Sequence, residues 1–290
     1  MGNLMKIKIA HMYPDVLNLY GDQGNIATFR KRLEWRGIDW EVAKLPIGFT
    51  EDLDQFDMFF IGGGQDFEQG VLLNDLDDHK RKSIKEQVEK DKTFLCICGG
   101  YQMMGNYYET ADGNRYDYIG AANFYTKGGN KRLIGNYAFT FDARHKDPAK
   151  DIISEDERAS KIESGSERHC IRHSAGHTHE HKESNGIDDK CIITGFENHS
   201  GRTYLGQGVR PLGTVMKGNG NNGEDGTEGV RYRNFFGTYS HGPVLPKNPY
   251  FADRLILSAL NTKYGVVDLK ELDDSLEIRA HREAMNIIGV

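Results

Sequence analysis

At 290 residues the chain has room for one large or two modest domains and a substantial core. A net charge of -6 argues against a general nucleic-acid binder, which needs a basic field, and no run reaches the ~18 apolar residues of a membrane span. Four cysteines, with no apolar signal-peptide core at the N-terminus, point to a reduced cytoplasmic compartment.

Residues 6–12 read as a strand, followed by a loop to Asn25 and a helical spacing over 26–35 that ends near Gly37. Strands are expected at 40–45 and 58–61, the latter running into Gly62-Gly63-Gly64. One long charged amphipathic helix is expected over 71–90, then a strand over 93–97 that stops at Cys98. Strands apolar on both faces, alternating with helices, define an α/β protein with an open, mostly parallel sheet flanked by helices. After Asn106 the pattern changes to short alternating runs, including 137–141, 191–195 and 231–240, which read as added antiparallel strands. Helical spacing returns over 250–263 and, weakly, over 269–285. The organisation expected is one domain over 1–265, interrupted by a polar His-rich insertion at 145–189, and a helical tail over 266–290.

The most informative stretch is Phe94-Leu-Cys-Ile-Cys-Gly-Gly-Tyr-Gln102. A buried strand that stops at a cysteine and two glycines describes a sharp turn into a helix. A nucleophile at such an elbow stands clear of the sheet, and a helix N-terminus beside it favours the thiolate. Cys96, two residues earlier on the same strand, reads as a small buried hydrophobe. Ligands of parallel sheets bind beyond the strands' carboxyl ends, so the triple glycine after Ile61 and the elbow after Ile97 are the candidate site elements.

Other motifs in the chain are weaker. Gly218-Asn-Gly-Asn-Asn-Gly223 matches a dinucleotide fingerprint in form, but no helix follows it, and it reads as a flexible hairpin tip. No Walker-type loop is present. His169, His173, His177 and His181 recur every fourth residue in the insertion, but Ser174, Ala175 and Gly176 weaken a helix there, so no metal site is assigned. Outside the insertion, His79 and His281 sit in charged helical stretches and are expected at the surface. His11 ends the first strand, where it could line the site, though a structural role suits it better. His199 lies in a turn-like sequence. His241, directly after the strand that ends at Ser240, is favoured over His199 as the general base for Cys98.

Cys98-Gly-Gly-Tyr-Gln102 resembles the Cys-x-Gly-x-Gln nucleophile motif of class I (triad) glutamine amidotransferases. Leu17-Asn-Leu-Tyr-Gly-Asp-Gln-Gly-Asn25, Gly62-Gly-Gly-Gln-Asp66 and Gly237-Thr-Tyr-Ser-His-Gly-Pro-Val-Leu-Pro-Lys-Asn248 narrow the resemblance to the cobyric-acid-synthase-like branch, and most closely to glutaminase subunits of lipid II isoglutaminyl synthase. The resemblance covers about 5–143 and 190–265 and implies a flavodoxin-like fold. It further implies that Cys98 attacks the side-chain amide of glutamine and that His241 serves as base and acid. The oxyanion would be held by backbone N–H groups of Gly63 or Gly64 and of Gly99, and Gln102 and Arg132 would position glutamine. No cofactor is implied for this chain. ATP and Mg²⁺ are expected on a Mur-ligase-like partner subunit (MurT), which would amidate the D-glutamate α-carboxyl of lipid II at the inner face of the membrane. The chain departs from the wider family in one place: Pro243 stands where a glutamate usually orients the histidine. A Cys-His dyad, Glu197 or a carboxylate from the partner are the alternatives. Rival readings are a subunit serving another carboxylate, such as a corrinoid, a non-catalytic regulatory subunit, and a cysteine peptidase on a related fold.

Overall fold

The computed structural model describes residues 5–18, 21–64, 66–141 and 192–290. In chain order the first half contains β1 (Lys6–Met12), α1 (Gln23–Trp35), β2 (Asp39–Leu45), β3 (Met58–Ile61), α2 (Asp66–Leu73), α3 (Asp78–Glu89), β4 (Thr93–Ile97) and α4 (Gly99–Met103). The second contains β5 (Tyr107–Glu109), β6 (Arg115–Asp117), β7 (Phe124–Phe141), β8 (Ile192–Leu205), β9 (Gly213–Lys217), β10 (Thr227–Glu228), β11 (Val230–Tyr232), β12 (Phe235–Thr238), α5 (Pro249–Tyr264) and α6 (Ser275–Ile288).

The main sheet has the order β11-β12-β4-β3-β1-β2. Its pairs are parallel except β11 with β12. Every residue of β3, β4 and β12 is buried, as a sheet covered on both faces requires. Phe59 and Phe94 stack on neighbouring strands with centroids 4.4 Å apart. At Gly237 an added Cβ would lie 2.3 Å from the Tyr101 ring, so this glycine lets α4 pack directly on β12. β3, β4 and β12 deliver Gly62–Gly64, Cys98 and His241 to the same carboxyl edge of the sheet.

The second sheet, β10-β9-β7-β5-β6 with β8 on β7, carries most of the added antiparallel pairs, whereas the run expected at 231–240 divides into β11 and β12 of the main sheet, where β12 lies parallel to β4. The run expected at 137–141, and residues 192–195 of the one expected at 191–195, are ends of a much longer antiparallel ribbon, because glycines and charged residues interrupt its alternation. Its register shifts between Gly128 and Leu133, beside Arg132. The helix expected over 71–90 is two helices: Asp77 accepts from Lys80 N at 2.8 Å and caps a new start at α3. The tail forms α6, which is anchored by buried Arg32 of α1: its guanidinium donates to Asp253 at 2.6 and 2.7 Å and to Asp274 at 2.7 and 2.9 Å. His281 of α6 is buried against the Lys247 carbonyl rather than exposed, because α6 packs on the body through that face. The 145–189 insertion lies outside the described residues.

Candidate active site

β4 ends in an elbow at Cys98, whose backbone has φ 47° and ψ −106°. Such a conformation costs about 1–3 kcal/mol in a non-glycine residue and persists only where neighbours impose it. Here Cys98 N–H donates to Thr238 O at 2.9 Å, and its carbonyl accepts Gln102 N–H at 2.8 Å as α4 begins. Gly100 N–H donates to Gly62 O at 3.1 Å, and an added Cβ at Gly100 would meet that oxygen at 2.6 Å. The elbow is thereby locked to the glycine loop after β3. Cys96 is fully buried, and burial raises its thiol far above the ordinary range, which leaves it an inert packing group.

His241 follows β12 and is held by Phe196 of β8, with its N–H donating to Phe196 O at 2.8 Å. The point where the groups meet is Gly63. A methyl carbon there would lie 2.7 Å from His241 Cε1, 3.3 Å from Asp22 Oδ2 and 3.4 Å from Cys98 Cβ. Burial, helped by the positive charge of Arg132, pushes the His241 pKa down to about 3, so the ring rests neutral and can accept a proton.

Asp22, at the start of α1, is fully buried. Its Oδ2 accepts Gly63 N–H at 2.7 Å and its Oδ1 lies 4.0 Å from His241 Nδ1. Burial raises this carboxyl to about 7, and the Gly63 bond opposes the rise. Gly63, expected as an oxyanion donor, therefore has its N–H turned onto Asp22. Gly64 and Gly99 are the remaining candidates; Gly99 N–H lies in the first turn of α4, where no intrahelical acceptor exists.

Arg132 is exposed on β7, where its Nε donates to Asn198 Oδ1 at 2.8 Å. Its charge acts on both His241 and His199, lowering the pKa of each. Gln102 is buried, and its Nε2 donates to Tyr239 Oη at 3.0 Å. That hydroxyl continues through Thr203 to Thr126, at 2.7 and 2.8 Å, so Gln102 ties α4 to the β7–β8 wall through its Nε2. Glu197, the in-chain candidate for the third catalytic role, is captured elsewhere. It accepts from Asn219 N–H at 2.9 Å, Asn219 Nδ2 at 2.7 Å and Gly220 N–H at 2.9 Å, and lies 4.0 Å from His199 Nε2. The 218–223 segment is accordingly a loop wrapped on a buried carboxylate, with Asn221 and Asn222 buried, and not a flexible tip. His199 is in β8, buried, with Nδ1 2.8 Å from Gly201 O.

Two buried acids escaped the sequence reading. Asp22 sits inside a quoted motif, but nothing local shows which loop it reaches. Glu228 accepts from Tyr137 Oη at 3.0 Å, Thr238 Oγ1 at 2.7 Å and Tyr239 N–H at 2.9 Å, beneath the segment that presents His241. Among the described residues no cluster of three or more His, Cys, Asp or Glu side chains could hold a metal ion, and no helix is long and apolar enough to cross a membrane.

A cysteine elbow at the carboxyl edge of a flavodoxin-like parallel sheet, faced by a histidine from the adjoining strand, is the architecture of a class I glutamine amidotransferase. The chain belongs to the CobB/CobQ-like glutamine amidotransferase domain family, whose pattern matches residues 8–249. It is 38% identical over 277 residues to the GatD subunit of lipid II isoglutaminyl synthase (glutamine-hydrolyzing) of Staphylococcus aureus, covering 95% of this chain and 93% of that protein. Against the GatD subunit of Streptococcus pneumoniae it is 36% identical over 261 residues, covering 90% of this chain and 83% of that protein. Among solved structures, PurLQS from Thermotoga maritima shares the fold with a TM-score of 0.50 at 15% identity, over 89% of this chain and 99% of that one.

Proposed function

We propose that this chain is the glutaminase subunit of a two-subunit, ATP-dependent amidotransferase that amidates lipid II. The observation that carries the chemistry is the convergence of Cys98 and His241 on the space over Gly63. His241 takes the Cys98 proton, and the thiolate attacks the side-chain amide carbon of glutamine. The resulting oxyanion is held by the N–H groups of Gly64 and Gly99; a single such donor contributes roughly 3–4 kcal/mol to the transition state. Imidazolium then protonates the leaving nitrogen, the C–N bond breaks, and ammonia departs from a γ-glutamyl thioester. His241 next deprotonates a water that attacks the thioester, and collapse of the second tetrahedral intermediate expels the thiolate and releases glutamate. Arg132 supplies a planar donor pair matched to the α-carboxylate of the substrate.

The relatives' names support the acceptor: ammonia passes to a Mur-ligase-like subunit of the MurT kind, which holds ATP and Mg²⁺ and converts the D-glutamate of lipid II to D-isoglutamine. The test is co-purification with that ligase, followed by assays of glutamine hydrolysis and of lipid II amidation. Cys98→Ser and His241→Ala should abolish both activities. Absence of labelling by the glutamine analogue diazo-oxo-norleucine, with the ligase present, would instead identify a non-catalytic subunit. Turnover of a corrinoid acid and not of lipid II would change the acceptor.

A further inference from the structure

Pro243 leaves the usual position for a histidine-orienting acid empty, and Glu197 is engaged with the 218–220 backbone. The described residues nevertheless hold a carboxylate against the other side of the imidazole. Asp22 arrives from a different element altogether, the turn before α1, and is buried between the glycine loop and His241. Its two oxygens divide their tasks: Oδ2 accepts Gly63 N–H at 2.7 Å, and Oδ1 faces His241 Nδ1 at 4.0 Å.

We infer that Asp22 is the acid of an in-chain Asp22–His241–Cys98 triad, a positioning residue that orients His241 through Nδ1 and at the same time fixes the oxyanion-side loop through Gly63. The inference deepens the glutaminase reading and rests on it for the role of Cys98. The 4.0 Å separation exceeds a hydrogen bond, and catalytic hydrogen bonds commonly tighten only when substrate binds. Burial and Arg132 make the imidazolium costly, and Asp22 in its ionised form would offset part of that cost at Nδ1. In this triad Nδ1 carries the proton shared with Asp22, and Nε2 is the nitrogen that serves the thiol. Gly63 is required at this junction, because any side chain would displace His241. The charged group that acts on His241 from a neighbouring element is Arg132 of β7, which opposes a positive charge on the ring; His199 of β8 is itself held neutral by burial.

The test reads Cys98 without glutamine: the rate of alkylation by iodoacetamide against pH in the full-length chain. Asp22→Asn keeps an acceptor for Gly63 N–H and removes the charge. It should slow alkylation at pH 7 about tenfold and move the midpoint of the pH–rate curve upward. In a His241→Ala background the same substitution should cause no further slowing. Wild-type rates in Asp22→Asn, or equal slowing without His241, would overturn the inference and leave a loop anchor or a carboxylate from a partner. Should Asp22→Asn fail to fold, ¹⁵N chemical shifts of His241 in the wild-type chain decide: the Nδ1–H tautomer is expected, and the Nε2–H tautomer refutes it. If the chain proves inert toward glutamine and diazo-oxo-norleucine while the alkylation curves still follow Asp22, the glutaminase reading fails and the triad stands.

Discussion

His199 lies flat on Tyr239, with ring centroids 3.5 Å apart and planes 6° from parallel. Its Nδ1 meets the Gly201 carbonyl at 2.8 Å, and burial holds its pKa at about 3. A ring clamped on both counts cannot swing toward the thiol, which separates it from His241. His199→Phe preserves the stack and loses one hydrogen bond. It should lower stability by about 1 kcal/mol in denaturant titration and leave Cys98 alkylation within a few-fold of wild type. His241→Ala should slow that alkylation about a hundredfold.

Gly63→Ala tests how tightly the site is packed. The new methyl would fall 2.7 Å from His241 Cε1, and a misplacement of about 1 Å in a catalytic group costs on the order of a hundredfold. Glutamine hydrolysis should drop by at least that factor while circular dichroism shows a folded chain. Retention of more than a tenth of the activity would contradict the convergence at this residue.

Arg132 is predicted to act in binding rather than in the chemical step. Arg132→Ala should raise KM for glutamine about tenfold or more, with a smaller change in kcat. Arg132→Lys should rescue little, because an ammonium cannot reproduce the planar donor pair. Steady-state kinetics at several glutamine concentrations separates the two parameters.

Glu197 should prove structural. In Glu197→Gln the amide oxygen can still accept from the 219–220 backbone, so hydrolysis should survive. Glu197→Ala strands buried donors of Asn219 and Gly220, with an expected loss of about 2–3 kcal/mol. Chemical denaturation and a glutaminase assay on both variants decide the matter; an inactive but stable Glu197→Gln would return Glu197 to the catalytic group.

Glu228 has a pH signature of its own. Burial raises its pKa to about 7 against hydrogen bonds from Thr238, Tyr239 and Tyr137 that favour the carboxylate. Because the folded value lies above the unfolded one, its contribution to stability is present at low pH and fades as pH rises through about 7. Glu228→Gln cannot ionise and escapes this loss. Its melting temperature relative to wild type should therefore improve by a few degrees between pH 5.5 and 8.5; an unchanged difference would show that Glu228 is not protonated in the folded chain.

Much of the site could be read from residues close together along the chain. The apolar run 93–97, broken at Cys98 by two glycines, announces both the strand and its elbow, since each depends on neighbours a few positions away. His241 was legible for the same reason, as the residue straight after a strand. The alternating strands and helices of the first half dictate a parallel sheet because period and burial are local properties. The β7–β8 ribbon was harder, since glycines and Lys131-Arg132 blur its alternation and only pairing reveals its length.

What the tertiary structure alone decided is which buried acid lies beside which loop. Asp22 and Gly63 are 41 positions apart, and Asp22 and His241 far more; a carboxylate leaves no periodic trace of the loop it will meet. Glu197, which the sequence offers as an in-chain acid, is ringed by the 218–220 backbone, and no local pattern shows that. A buried charge must find donors wherever the fold brings them, so the elbow at Cys98 follows from its local chain and the surroundings of the buried acids from the packing of distant loops.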